Sequence, residues 1–390
     1  MEKVMQQILD AVKEAFKTID SNVDKYLDFL CQICSFEARA YDKQTIDRMV
    51  YLISSFAKAS GLQVTRTPME KCGDFLTVEI NVGAEKACFL HAHMDTVHEK
   101  GIFGDPPVRR EQDKIYGPGV IDCKGGITIA LLTLKTLLDS GFSKHVRLVL
   151  TSDEEISNVL GGPQEIQFIK DSAQGFPYAI NCETAENDEV VIARKAIMQY
   201  RLDIKGVSGH SGKHYFTSKN AILEAAHKII AIHENSVLGG NTYSCNIIEG
   251  GKVPNIIPDS CSITLDIRAV TDEDMQAVQK TIEQIASTSY IQGTSCEVTL
   301  LNTRPPMEKR TETLELLGKL LAVCDKYQLG TLTAMEAGGS DSCYTQAAGI
   351  TSICGMGASG GKQHTPGEFL NISSIPLRAK ILTAFIMEND

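Results

Sequence analysis

Three stretches of the chain read as strands that end in metal-ligand chemistry: ACFLHAHMD (Ala87–Asp95), RLVLTSDEE (Arg147–Glu155) and YAINCE (Tyr178–Glu183). Each opens with an apolar run of strand length and finishes in His, Asp or Glu. In open α/β sheets, reactive groups gather at the carboxyl ends of the strands. Three such ends imply one site assembled from residues distant in sequence. Asp122, after a Gly-Pro-Gly turn, and His364, after a Gly-rich loop, are placed to complete it. The pattern reads as a hydrolytic metal centre.

The order of the remaining elements fits such a sheet. Helical spacing over 24–61 ends at Gly61, a usual residue just past a helix end. Strand patterns follow at 75–81 and 87–92, then a helix over 124–140, a strand at 146–151, a helix at 163–171 and a strand at 178–182. This alternation predicts a mixed, mainly parallel sheet with helices on both faces. Near residue 196 the pattern changes. Strands at 198–205, 242–249, 260–269 and 295–302 interleave with helices at 220–233 and 273–288, giving the β-α-β-β-α-β order of a ferredoxin-like unit that can close its own core. Arg304-Pro305-Pro306 is a stiff linker. Beyond it a helix (311–328), strands at 331–335 and 350–354 and a last helix (373–387) resume the first pattern. The expected organisation is a catalytic domain over 1–195 and 305–390, with an inserted lid over 196–304. A chain of 390 residues is long enough for two cores.

A formal charge of −11 argues against nucleic acid, whose phosphates call for a positive surface. The amino-terminal stretch reads as a charged amphipathic helix without the apolar core of a signal peptide, and no run approaches a membrane span. Twelve cysteines in a chain without an export signal should stay reduced, so the expected setting is the cytoplasm. Cys31 and Cys34 form a CxxC, but inside a helical pattern and without a second pair, so they read as packing residues. Cys182, Cys245, Cys261 and Cys354 lie in strand patterns as small apolar residues.

Each chemical motif has a plain reading as well. In His91-Ala92-His93-Met94-Asp95, alternate residues share a face, so both histidines and Asp95 can point one way. A metal-bound imidazole usually gives its other nitrogen to a carboxylate, the place Asp95 would take. The plain reading is a strand end with surface histidines. Asp122 precedes a helix and would alone read as an N-cap; beside the other motifs, a carboxylate bridging two metals accounts for it better. Asp153-Glu154-Glu155 would ordinarily be a solvated loop. In a metal centre one carboxylate binds metal while its neighbour stays free as general base. The Gly-rich segment 355–368 suggests a phosphate loop, but the spacing fails, because Met356 stands where that loop needs Gly and Gln363 where it needs Ser or Thr. His98, His145, His214, His227 and His233 read as surface or helix-face residues, and His91 lies behind the ligands at most.

The set HMDTV, YGPGVIDCKGG, TSDEE, NCET, GVSGHSG, NIIP, LDIR, GGSD and a late histidine resembles metallopeptidase family 20, the zinc exopeptidases and deacylases. The resemblance runs in order from about residue 24 to 388. TRPPME and GGSDSCY place it nearest the glutamate carboxypeptidase branch. It implies that His93, Asp122, Glu155, Glu183 and His364 hold two zinc ions with Asp122 bridging, that Glu154 is the base, and that Asp95 orients His93. It implies substrate contacts from His210 (across a dimer interface), Asn255, Arg268, Gly338 and Gly339. Two departures stand out: Thr184 follows Glu183 where Pro is common, and Cys123 follows Asp122 where Asp or Met is common. Imidazole plus carboxylate independently suits zinc, with manganese or cobalt able to occupy the oxygen-rich half. The expected function is a di-zinc hydrolase cleaving an amide beside a free carboxylate. A carboxypeptidase comes first and an N-acyl-amino-acid deacylase second. A binding protein that kept the fold and lost catalysis is disfavoured, because base, bridge and ligands are present together. The expected partners are a small peptide or N-acyl amino acid and a second copy of the chain, paired through the lid.

Overall fold

The computed structural model describes residues 2–184 and 187–389. They divide into two compact units, one of Met1–Ala193 with Lys309–Asp390 and one of Arg194–Glu308.

The first unit is built on a mixed, mainly parallel six-stranded sheet. Its order is Gln63–Thr67, Phe75–Ile80, His145–Thr151, Lys86–His93, Tyr178–Asn181, Thr351–Ile353. Three of the five pairings are parallel, all on or beyond the central strand Lys86–His93; the two outer ones on the other side are antiparallel. The apolar runs are continuous because both faces are covered. Cys88, Leu90 and Ala92, with Val146, Leu148 and Leu150, pack into the main core under the helices Glu2–Cys34, Gly125–Asp139 and Ser374–Glu388. Their neighbours of opposite parity, Phe89, Val149 and Ala179, join Ala173 and Phe176 on the other face. Each fully buried apolar side chain of this size contributes about 1.5–3 kcal/mol.

The amino-terminal helical pattern and the first helical pattern after residue 24 run together. Glu2–Cys34 is one helix of 33 residues, and Val12, Ala15, Ile19, Tyr26, Leu30 and Ile33 lie on its buried stripe. Cys34 is buried on this helix and Cys31 half-buried, as packing residues would be. The next helix, Lys43–Ala59, starts where the Asp42 side chain accepts the Thr45 amide. None of the twelve cysteines is joined in a disulfide. No described helix is long and apolar enough to cross a membrane.

Short strands escaped the sequence reading. Arg109–Glu111, Lys114–Tyr116, Phe369–Asn371 and Gly360–Gly361 form a second small sheet. Strands of two or three residues are too short to display a period.

The unit Arg194–Glu308 carries a four-stranded antiparallel sheet in the order Thr242–Gly250, Ser260–Ala269, Ala196–Lys205, Ser295–Arg304. Ala196, Met198, Tyr200, Leu202 and Ile204 alternate onto one face, against the helices Ala221–His233 and Asp272–Ser287. The opposite face is open, which is why these strands alternate while those of the first unit do not.

Candidate metal centre

The register of the central strands decides where the acids lie. His93 stands opposite Thr151 on one neighbour, and His91 opposite Asn181 on the other. The segments that follow, Ser152–Glu155 and Cys182–Glu183, therefore leave the sheet at the edge where His93 sits. Two further loops reach the same edge. Phe369–Asn371 pairs with Lys114–Tyr116, and Gly360–Gly361 pairs with Phe369 and Leu370. This small sheet pins the loop carrying His364 beside the loop carrying Asp122.

Asp122 stands at the middle of the cluster. Its Oδ1 is 3.1 Å from His93 Nε2 and its Oδ2 is 3.0 Å from His364 Nε2. Glu183 Oε1 lies 3.3 Å from the same His93 nitrogen, and Glu155 Oε2 lies 3.2 Å from the same His364 nitrogen. The result is two half-sites, His93 with Glu183 and His364 with Glu155, sharing the two oxygens of one carboxylate. Asp122 caps no helix: the helix starts at Gly125 without a side-chain cap.

Asp95 holds the cluster from behind. Its Oδ1 meets His93 Nδ1 at 3.2 Å, and it accepts the backbone amides of Glu154 and Glu155 at 3.3 and 3.1 Å. A single buried carboxylate thus fixes both the ring and the acidic loop. With Nδ1 turned to Asp95, His93 Nε2 is the nitrogen offered to the centre. The Glu154 side chain is close enough to raise the carboxyls of Asp95, Glu155 and Glu183.

The protonation pattern betrays an excess of negative charge. Burial, then the Asp122 carboxylate, pushes both Glu155 and Glu183 up. Burial also opposes ionisation of Asp122, yet the His364 and His93 rings hold its carboxyl far below the usual range. His364 is pushed up to about 11 by Asp122 and then Glu155. Burial alone would lower His93, but Cys123, Glu183, Asp122 and Asp95 raise it. Five carboxylates face two imidazoles here: Asp95, Asp122, Glu154, Glu155 and Glu183 against His93 and His364. With all five ionised, protonating both rings would still leave a balance of three negative charges. Two divalent cations with neutral rings would reduce it to one. Glu155 Oε1 is buried without a hydrogen-bond partner, an acceptor with nothing to accept. His93, Asp122 and Glu155 each offer a ligand atom within 4.8 Å of the others, as do His93, Cys123 and Glu183. The donor set of imidazole and carboxylate fits zinc.

Several residues lie elsewhere than the sequence reading put them. His98 and His145 are buried rather than on the surface. His98 Nε2 pairs with Glu368, and His145 Nε2 meets Glu79 Oε1 at 2.8 Å, a carboxylate also held by Arg147. His91 is buried behind His93, where its Nε2 meets Thr151 Oγ1 at 3.3 Å and Asp341 Oδ2 at 3.7 Å. Glu368 escaped the sequence reading. Its Oε1 accepts the amides of Ile121 (3.0 Å) and Asp122 (3.3 Å), so it positions the backbone of the central carboxylate. Nothing in HTPGE announces this, because its partners are amides far away in sequence.

The residues expected to meet substrate divide between the units. Gly338 and Gly339 follow the strand Thr333–Ala337 in the first. His210, Asn255 and Arg268 lie in the second, where the strand pair Gly209–His210 and Ile256–Ile257 brings the first two side by side. His210 Nδ1 accepts the amides of Gly212 and Lys213, leaving its Nε2 as an exposed donor. Arg268 makes the plain contact open to it: Nε and one terminal nitrogen donate to Asp266, at 2.7 and 3.2 Å.

The chain is similar to known proteins along most of its length. The sequence model of peptidase family M20/M25/M40 matches residues 89–388. Carboxypeptidase G2 of Pseudomonas sp. (strain RS-16) is 28% identical over 367 residues, which cover 92% of this chain and 87% of that protein. Succinyl-diaminopimelate desuccinylase of Rickettsia felis is 30% identical over 217 residues, 51% of this chain and 56% of that one. Among solved structures, the M20 family metallo-carboxypeptidase Sso-CP2 of Sulfolobus solfataricus shares the fold with a TM-score of 0.74 and 17% identity, covering 93% of this chain and 99% of that one. Aminopeptidase PepT of Bacillus cereus does so at 0.77 and 17%, covering 94% and 99%.

Proposed function

The chain belongs to peptidase family M20/M25/M40 and is a metal-dependent hydrolase; from that premise, we propose that it is a di-zinc carboxypeptidase cleaving an amide beside a free carboxylate. The observation that carries the reading is the division of Asp122 between two histidine–glutamate pairs, Oδ1 toward His93 and Glu183 and Oδ2 toward His364 and Glu155. Two divalent ions held there would polarise the scissile carbonyl and make a water acidic enough to attack. The five ligating side chains supply the holding geometry, and Asp95 keeps the His93 ring aimed. Glu154, carried by the loop that Asp95 anchors, takes the proton of the attacking water and returns it to the leaving amine. Similarity to carboxypeptidase G2 along most of the chain supports the carboxypeptidase. Similarity over half of the chain to a succinyl-diaminopimelate desuccinylase supports an N-acyl-amino-acid deacylase as the second reading.

On this proposal, Arg268 reads the substrate's free carboxylate, with Asp266 holding its fork in a fixed plane. His210, Asn255, Gly338 and Gly339 complete the contacts, and the chain works in the cytoplasm as a homodimer joined through residues 196–304. A panel of dipeptides against N-acetyl and N-succinyl amino acids separates the two readings. Glu154→Ala tests the mechanism: turnover should fall by about 10²–10⁴-fold with metal content retained. Loss of metal comparable to that of His93→Ala would make Glu154 a ligand and refute its role as base.

A further inference from the structure

Behind the acidic loop lies a second set of potential ligands that the hydrolytic centre does not use. Cys72, Asp153 and Glu165 are all fully buried, and each offers one ligand atom within 4.8 Å of the other two. Glu165 sits in the first turn of the helix Gly162–Ala173, where the polar group against its carboxyl is another acid, Asp153, and no N–H donor among the described residues meets either of its oxygens. The Asp153 carboxylate is half satisfied. Its Oδ2 accepts the amides of Leu160 and Gly161, at 2.8 and 2.9 Å, while its buried Oδ1 accepts from nothing. Met69 and Phe75, with Leu160 and Phe168 against them, wall in Cys72 with apolar side chains.

This arrangement needs an explanation, because a buried acceptor without a donor costs about 1–3 kcal/mol, and more when charged. Three such oxygens belong to these two side chains, and one from each lies within 4.8 Å of the other and of the Cys72 sulfur. The backbone has also made room for one of them: a Cβ on Gly161 would stand 2.3 Å from Glu165 Oε2. Burial, then Asp153, Asp341 and Cys72, pushes the Glu165 carboxyl well above its usual range. A proton shared between Asp153 and Glu165 would relieve part of the repulsion, but would leave at least one oxygen without a partner. A divalent cation would satisfy all three oxygens and the sulfur together.

We propose that Cys72, Asp153 and Glu165 form a further cation site, separate from the hydrolytic centre and selective for zinc through its thiolate. Carboxylate oxygens bind zinc at about 2.0–2.2 Å and thiolate sulfur at about 2.3 Å. Around a tetrahedral ion two such ligand atoms stand about 3.3–3.6 Å apart, so atoms within 4.8 Å of one another close onto an ion with side-chain movements of about 1 Å. On binding, the Cys72 thiol releases its proton to solvent and its sulfur becomes an anionic ligand. The ion would tie the loop Asp153–Gly161, which presents Glu154 and Glu155, to the helix behind it and to the loop before Phe75. Its role is to hold the acidic loop in place.

The test uses the full-length protein, stripped by chelator and reloaded with Zn²⁺ or Co²⁺. Wild type should retain one more equivalent of metal per chain than Glu165→Gln or Cys72→Ser. Because the difference is read and not the total, failure of the two-metal reading would not disturb the result. Cobalt-loaded wild type should show a near-ultraviolet thiolate-to-cobalt charge-transfer band that survives Cys123→Ser and vanishes in Cys72→Ser. Cys123 is the control because it is the thiol beside His93 and Glu183. Equal metal content in wild type and Glu165→Gln would overturn the proposal. So would a band that tracks Cys123 instead of Cys72. Stabilisation of the stripped protein by Glu165→Gln, with unchanged metal content, would assign the cluster to a shared proton and overturn it too. Glu165→Gln is nearly isosteric, so it remains informative if Cys72→Ser fails to fold.

Discussion

Glu368 offers the sharpest test of how the centre is held. Its carboxylate is buried, with one oxygen accepting the amides of Ile121 and Asp122 and the other paired with His98 Nε2. Removing it by Glu368→Ala strands three donors in a dry interior. At about 1–3 kcal/mol for each unsatisfied group, the loss should reach at least about 3 kcal/mol. Glu368→Gln keeps an oxygen for the two amides but turns charge-assisted bonds into neutral ones and sets an amide N–H₂ against His98. That change should cost about 2 kcal/mol. Urea unfolding of metal-free protein reads both values. Because Glu368 holds the backbone of Asp122, metal affinity should also fall, by about 10–100-fold, the usual scale for a group that orients a ligand. An alanine variant within 1 kcal/mol of wild type, or one matched by the glutamine variant, would refute this account, as would unchanged metal affinity in both.

Three further outcomes are expected of the same molecule. Gly126→Ala would place a Cβ 1.8 Å from the Cys182 carbonyl oxygen, next to Glu183; it should destabilise by about 3 kcal/mol or more, and near-neutral unfolding data would show that helix and strand can separate. The protonated His364 of the metal-free protein, with its pKa raised to about 11, pairs with Asp122 and Glu155, and the stability this adds is fully present below about pH 6.5 and lost as pH rises through about 11. Metal must displace that proton, so apparent affinity should climb about tenfold per pH unit for each proton released over this window, and a pH-independent affinity measured by competition titration would contradict it. Arg268→Ala should weaken substrates with a free carboxylate by up to a few kcal/mol and spare their amidated analogues; equal loss for both would leave Arg268 as Asp266's partner in the fold.

The sheet, and the strand ends at which the candidate ligands lie, are legible because they obey short-range rules. Apolar runs such as ACFLHAH and RLVLT show a strand buried on both faces, and a ligand at a strand's end has its position set by the strand itself. The strand ends that carry His93, Glu155 and Glu183 are therefore readable from local pattern plus the rule that active groups gather at carboxyl ends, while the choice of these three among their neighbours rests on the family resemblance. Asp122 and His364 were picked out by residue type, but what carries them to the strand ends is the small sheet of Phe369–Asn371, Lys114–Tyr116 and Gly360–Gly361. Those strands are too short for periodicity to reveal. Burial of His98 and His145 was equally out of reach, since their partners Glu368 and Glu79 lie 270 and 66 residues away. Local pattern determines which segments become strands and which side chains share a face. Only tertiary structure decides which buried charges meet, because a carboxylate's partner is chosen by what the fold brings within hydrogen-bonding distance, and sequence separation carries no trace of that.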